Sequence, residues 1–80
     1  IHIGDIMKNG DYYYLLARKN IKKYRTQANL SQSDLAEKTG FTYQYIRDLE
    51  SIKLTRRPRL DTLVIIANAL NIDIKQLLEE

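Results

Sequence analysis

The sequence predicts an all-α domain of five helices. Apolar residues recur at spacings of three and four rather than two, and residues that favour helix starts and helix ends punctuate these runs. The chain has 80 residues and no cysteine, so a compact core must stabilise it without disulfides or thiolate metal sites. We expect the domain to span residues 11–80 and residues 1–10 to form an extension, either a tag or a disordered segment.

The first predicted helix spans residues 12–28, with Asp11 as its N-cap. The three tyrosines at 12–14 leave open an alternative, a separately packed or disordered arm. A stripe at helical spacing should face the core, and its members are Tyr14, Ala17, Ile21, Tyr24 and Ala28. The other faces carry basic side chains, namely Arg18, Lys19, Lys22 and Lys23.

The second predicted helix begins at Ser31, an N-cap that Asp34 complements in an arrangement similar to a capping box. Leu35 and Ala36 should face inward. Gly40 should end this helix, because glycine adopts the left-handed conformation at little cost.

Thr42 should cap a third helix of about 42–51, whose Ile46 and Leu49 point inward, with Phe41 buried at the preceding turn. Residues 51–59 form a loop that contains Pro58, which interrupts any helix.

A fourth helix is predicted over about 60–70, and Asn71 should end it in the left-handed conformation. Its buried face follows the i, i+3, i+4, i+7 pattern through Leu63, Ile66, Ala67 and Leu70. Asp73 should cap a short fifth helix with Ile74, Leu77 and Leu78 inward.

The second and third helices, joined by a turn that contains glycine, form a predicted helix-turn-helix, in which the third helix can enter the major groove of DNA. With Ile46 and Leu49 inward, Gln44, Arg47 and Asp48 point outward and Tyr43 lies at the tip. The predicted base-reading residues are therefore Tyr43, Gln44, Arg47 and Asp48.

The chemistry of these side chains fits base edges. Glutamine can bond adenine, arginine suits guanine or phosphate, and tyrosine can touch a thymine methyl or a phosphate. A carboxylate is repelled by phosphates unless it accepts from cytosine N4 or orients Arg47, so the role of Asp48 stays open.

The charge distribution indicates one surface that faces a polyanion. Residues 18–60 carry eleven Lys and Arg side chains against four Asp and Glu, whereas both ends of the chain are net acidic. A solvated basic face is the alternative. The predicted phosphate-binding residues are Gln32, Thr42, Tyr45, Ser51, Lys53, Thr55, Arg56, Arg57 and Arg59.

Little in the sequence favours other classes of protein. His2 is the one histidine, and we find no glycine-rich phosphate loop, metal-ligand cluster or good carboxylate pair. We therefore predict no catalytic residue, no cofactor and no metal. No apolar run approaches the roughly 20 residues of a membrane span, and no small-molecule ligand is evident. The absence of cysteine fits a reducing cytoplasm, so a cytoplasmic protein is expected.

These residues resemble the lambdoid phage repressor, Cro and Xre family of helix-turn-helix domains. The resemblance rests on S-Q-x-x-L-A at 31–36, Gly40, Ile46, the pair Leu49–Glu50 and L-x-x-I-A-x-A-L-N-I at 63–72. It implies a compact five-helix domain of the lambda-repressor-like type and a DNA-binding regulator, with a repressor as the first expectation. It also implies a buried structural ion pair between Arg25 and Glu50.

The resemblance further implies a dimer on a two-fold operator. The candidate self-contact surface comprises the loop before the fourth helix and the C-terminal helix, with Leu54, Leu60, Ile72 and Leu78, and the first-helix tyrosines are a second option. The alternative function is a protein-interaction or antitoxin-like module with the same fold.

Overall fold

The computed structural model describes residues 9–51 and 57–80. In this part of the chain five α-helices follow one another and no strand occurs. They are α1 (Gly10–Gln27), α2 (Gln32–Thr39), α3 (Tyr43–Glu50), α4 (Leu60–Ala69) and α5 (Ile74–Leu77). The predicted all-α class and the five helices are confirmed, whereas the division at residue 11 stays a prediction.

Helix α1 begins earlier than the sequence suggested. Asn9, not Asp11, is the N-cap, and its side-chain oxygen accepts from the backbone N–H of Tyr12 at 3.1 Å. Asp11 lies in the first turn, where its charge complements the helix dipole. The prediction of Asp11 as N-cap is therefore wrong, and so is the alternative of a tyrosine arm, because residues 12–14 are helical.

The buried face of α1 is wider than the predicted stripe. Ala17 and Ile21 are fully buried, but Arg18, which was expected on an outer face, is also buried, and its Nη1 donates to the Ser51 carbonyl at 3.2 Å. Ala28, expected inside, is exposed at the C-cap. Helix α1 packs against α3, α4 and α5, so it is covered from several directions.

Asn20 extends this wide face toward the C-terminus. Its side chain is buried, and Nδ2 donates to the carbonyls of Leu77 at 2.8 Å and of Glu79 at 2.9 Å. These bonds satisfy backbone acceptors at the end of the short helix α5, where helical partners are missing. The C-terminal segment is thereby held against α1.

The predicted start of α2 is confirmed in detail. The Ser31 hydroxyl accepts from Asp34 N at 2.9 Å, and the Asp34 carboxylate accepts from Ser31 N at 2.8 Å, which forms a capping box. The backbone and side-chain hydrogen bonds from Ser31 lower the pKa of Asp34. Both ends of the box are exposed, so it acts on local structure rather than through burial.

The turn between α2 and α3 follows the prediction. Gly40 adopts the left-handed conformation with φ 79°, and the Thr42 hydroxyl accepts from Tyr45 N at 3.0 Å as the N-cap of α3. Phe41 is half-buried rather than buried, and packs against the core. The turn therefore has the three features that reverse a chain between helices: a left-handed residue, an apolar anchor and a new cap.

Helices α4 and α5 close the core behind α2 and α1. Asn71 is left-handed with φ 59°, Asp73 forms a capping box with Gln76, and Pro58 is fully buried before α4. The expected inner residues of α4 are buried, Leu77 is fully buried, and Ile74 and Leu78 are half-buried. The core consists of Ala17, Ile21, Leu35, Ala36, Ile46, Leu49, Leu63, Ile66, Ala67, Leu70 and Leu77.

The helices that the structure describes lack the combination of length and apolar character that crossing a bilayer requires.

Candidate nucleic-acid interface

Helix α3 has one buried side and one exposed side. Ile46 and Leu49 are fully or almost fully buried, where α3 packs against α2 and α1. On the opposite side Gln44 and Arg47 are exposed, and Tyr43 at the first turn exposes 48% of its surface. A helix that reads a DNA groove needs one side packed against the rest of the domain and an opposite side that is polar and exposed.

Two outward side chains of α3 bond to each other. Gln44 Nε2 donates to Asp48 Oδ1 at 2.9 Å, one helical turn away. The sequence suggested cytosine N4 or Arg47 as partners for Asp48, and it did not suggest Gln44. Within the described residues Arg47 makes no hydrogen bond or ion pair, so its charge is available to a ligand.

Glu50, the last residue of α3, joins α3 to α1. Arg25 Nε donates to Glu50 Oε2 at 2.6 Å and Arg25 Nη2 donates to Oε1 at 2.9 Å. The Arg25 side chain is 12% exposed and that of Glu50 is 3% exposed. The hydrogen bond to Glu50 raises the pKa of Arg25. This bidentate geometry is the strong form of an arginine–carboxylate contact.

Two further bonds attach this ion pair to the start of α2. Arg25 Nη1 donates to the Leu30 carbonyl at 2.8 Å, and Gln32 Nε2 donates to Glu50 Oε1 at 3.0 Å. The carboxylate of Glu50 therefore links α1, the first residue of α2 and the end of α3. Gln32 is half-buried. One of its two amide hydrogens is directed to Glu50, so a phosphate contact from this amide must use the other hydrogen.

The other predicted phosphate ligands on the turn and on α3 differ in exposure. Thr42 is exposed at the tip of α3. Tyr45 is half-buried: its ring contacts that of Phe41 with centroids 5.0 Å apart, and its hydroxyl lies 3.5 Å from Thr62 Oγ1. Ser51 is half-buried beyond the end of α3. Thr42 is thus the freest of the three to meet a ligand.

The predicted arginine loop is described only in part. Lys53, Thr55 and Arg56 lie outside the described residues. Arg57 is exposed, forms a salt bridge with Asp11, and has its guanidinium carbon 5.5 Å from the centre of the Tyr14 ring. Arg59 is exposed at the N-cap position of α4. A phosphate that binds Arg57 must therefore compete with Asp11.

The hydrogen bonds Gln44–Asp48 and Gln32–Glu50 were not predicted from the sequence. The first had a local signal, since residues four apart on a helix are neighbours. The second joins residues 18 positions apart, and only the packing of α2 against α3 brings them together.

Helices α2 and α3 are short and are joined by a turn that contains the left-handed Gly40. One side of α3 packs on the core and the other side is exposed. This arrangement defines a helix-turn-helix domain. Comparison with known proteins agrees, because a family model described as helix-turn-helix matches residues 21–77. The chain therefore belongs to the helix-turn-helix family, which confirms the resemblance seen in the sequence.

Two known proteins are similar to the chain. The control protein C.SmaI of Serratia marcescens is 42% identical over 60 residues, which cover 75% of this chain and 69% of that protein. The crystal structure of SinR, a master regulator for biofilm formation, in complex with DNA matches with a TM-score of 0.71 and 30% identity. That match covers 79% of this chain and 98% of the SinR chain.

Proposed function

We propose that the chain is a sequence-specific transcriptional regulator, a repressor, that binds double-stranded DNA by placing α3 in the major groove. The observation that carries this proposal is the two-sided character of α3, with Ile46 and Leu49 buried and Gln44 and Arg47 exposed. The two relatives, a control protein and a master regulator whose structure contains DNA, support the same class.

The dimensions of α3 suit this role. A helix with its side chains is about 10–12 Å across, and the major groove is about 12 Å wide. Tyr43 and Gln44 stand in the first turn of α3, which is the part of a recognition helix that contacts base edges in helix-turn-helix proteins. Arg47 lies one turn later and adds a bidentate donor for guanine or phosphate.

Phosphate contacts would fix the register. One group of candidates comprises Gln32 and the free backbone N–H groups that begin α2, a position that favours anions. A second group comprises Arg57 and Arg59, which are exposed. We propose that these groups contact the DNA backbone, together with Thr42, Tyr45, Ser51, Lys53, Thr55 and Arg56.

We further propose that two copies act together, because one such helix reads only a few base pairs. Half-sites should lie about 34 Å apart, one turn of DNA. Leu60, a candidate for the self-contact surface, is 65% exposed, whereas Ile72 and Leu78 are half-buried and Leu54 lies outside the described residues. Tyr13 of α1, 41% exposed, represents the second option. The protein would act in the cytoplasm, on the nucleoid.

The test is selection of bound duplexes from a random DNA pool, followed by titration of the enriched duplex at several salt concentrations. We expect a two-fold symmetric motif and, for six phosphate contacts, a slope of log K against log salt of about −5. The double variant Gln44→Ala with Arg47→Ala should lose the motif. Asn68→Ala, at an exposed position of α4 outside the residues proposed for DNA binding and self-contact, is the control and should keep it.

Absence of any enriched duplex, or binding that does not respond to salt, would contradict the proposal. Such a result would favour the protein-interaction module, which needs neither Gln44 nor the exposed arginines.

A further inference from the structure

The hydrogen bond between Gln44 and Asp48 fixes the direction of an amide on the outer side of α3. Gln44 Nε2 lies 2.9 Å from Asp48 Oδ1. An ionised carboxylate only accepts hydrogen bonds, so the nitrogen end of the amide must face Asp48. The orientation of Gln44, which is otherwise free to rotate on an exposed side chain, is therefore set before any ligand arrives.

This bond leaves Gln44 with a defined set of free groups. A glutamine amide has two N–H hydrogens and one carbonyl oxygen. One hydrogen is directed to Asp48, so one N–H donor and the oxygen Oε1 remain for a ligand. Asp48 itself adds acceptor oxygens beside them and no donor.

A single donor next to an acceptor matches one base edge in the major groove. Adenine presents N7, which accepts, beside N6, which donates. Guanine presents two acceptors, N7 and O6, which would face Oε1 of Gln44 and the carboxylate of Asp48. An unrestrained glutamine can turn both of its hydrogens toward guanine, whereas an amide tied to Asp48 cannot.

We propose that Asp48 is a positioning residue, which orients the Gln44 amide so that it reads adenine and rejects guanine. This inference rests on the proposed function, since it concerns how α3 reads DNA. It also accounts for a carboxylate on a surface that approaches phosphates: the charge weakens binding to every duplex and sharpens the choice among them.

The test compares selections from one random duplex pool for the wild-type protein, Gln44→Ala, Asp48→Ala and Asp48→Asn. The position that Gln44 reads is identified as the one whose preference changes in Gln44→Ala. In the wild type that position should be adenine, preferred over guanine by about tenfold. Asp48→Ala should reduce this preference about twofold at the same position, because the amide is no longer oriented.

Asp48→Asn loses the same charge as Asp48→Ala, so comparing the two variants separates orientation from charge. The side-chain oxygen of the introduced asparagine can still accept from Gln44 Nε2, but its amide nitrogen can instead donate to Gln44 Oε1, so the adenine preference should lie between those of the wild type and of Asp48→Ala. The lost charge should raise affinity for all duplexes alike. Thermal melts monitored by circular dichroism establish that all three variants are folded, and both positions lie on the outer side of α3, away from the core.

Three results would overturn the inference while the proposed function stands. The position that Gln44 reads could prefer a base other than adenine, or the adenine preference could survive Asp48→Ala unchanged. The third result is an effect of Asp48→Ala at a separate cytosine position, which would mean that Asp48 reads a base itself. If the wild type enriches no duplex, the proposed function fails, and this inference fails with it.

Discussion

The carboxylate of Glu50 accepts two hydrogen bonds from Arg25, at 2.6 and 2.9 Å, and the Glu50 side chain is almost completely buried. Because Glu50 ends α3 and Arg25 lies on α1, this ion pair ties α3 to the longest helix of the domain. We therefore expect that loss of one partner destabilises the fold, since the other is left charged and unpaired.

Arg25→Ala and Glu50→Ala should each lower the free energy of unfolding by about 3–5 kcal/mol, as is typical for one broken partner of a buried pair. Urea unfolding measures this change. Replacing both residues together with Arg25→Met and Glu50→Leu should be much less damaging, because no unpaired charge remains. Single variants within about 0.5 kcal/mol of the wild type, the range of ordinary surface substitutions, would show that the pair is not structural.

The capping box at Ser31 and Asp34 should make stability depend on pH. The folded state lowers the pKa of Asp34, so its contribution is fully present above the unfolded value, near 3.9. The contribution is lost as pH falls through the lower folded value. We therefore expect the stability difference between the wild type and Asp34→Asn to be largest near neutral pH and to shrink below about pH 4.

Urea unfolding at pH 7 and pH 3 tests this dependence. In a Ser31→Ala background, where the bond to the Ser31 hydroxyl is absent, the pH-dependent part of the Asp34→Asn effect should be smaller. Equal pH dependence in both backgrounds would rule out the Ser31 hydroxyl as a source of the effect.

Gly40→Ala should destabilise the domain by about 1–2 kcal/mol, because the left-handed conformation is unfavourable for a residue with a Cβ. Gly40 has φ 79°, and an added Cβ would meet no atom within 4 Å, so backbone strain alone should account for the cost. Gly40→Asn should cost less, since asparagine tolerates this conformation. Thermal or urea unfolding of the two variants measures the difference, and equal losses would contradict this explanation.

Asp11→Asn should strengthen DNA binding. The exposed salt bridge between Asp11 and Arg57 would compete with the proposed phosphate contact of Arg57, and exposed pairs of this kind contribute only about 0.2–1 kcal/mol. We expect affinity for the selected duplex to rise by about two- to threefold at low salt, with little change in stability. Fluorescence anisotropy measures the affinity.

The control for Asp11→Asn is the same substitution in an Arg57→Ala background, where it should have a much smaller effect. An equal gain in both backgrounds would mean that Asp11 acts as a general negative charge and that Arg57 is not a phosphate ligand.

Local signals in the sequence predicted most of the fold. The caps at Ser31 and Thr42 and the left-handed residues Gly40 and Asn71 depend on neighbours within a few positions, so sequence alone suffices to find them. The start of α1 was missed because two capping residues, Asn9 and Asp11, stand close together, and the local pattern does not choose between them.

The features that the sequence did not predict depend on tertiary packing. The stripe at helical spacing on α1 omitted Arg18 and Asn20, because their burial depends on how many helices surround α1. The candidate site shows the same division. The exposed side of α3 followed from its periodicity, whereas the contact of Gln32 with Glu50 required two helices to be placed in space.

The most direct test of the account is a titration of the ¹⁵N-labelled protein with the selected duplex, followed by NMR. We predict that the largest backbone amide shifts fall on Thr42 to Asp48 and on the first turn of α2, with smaller shifts at Arg57, Arg59 and the adjacent Leu60. Shifts confined to Leu60 and Tyr13, with α3 unperturbed, would contradict the claim that α3 reads DNA.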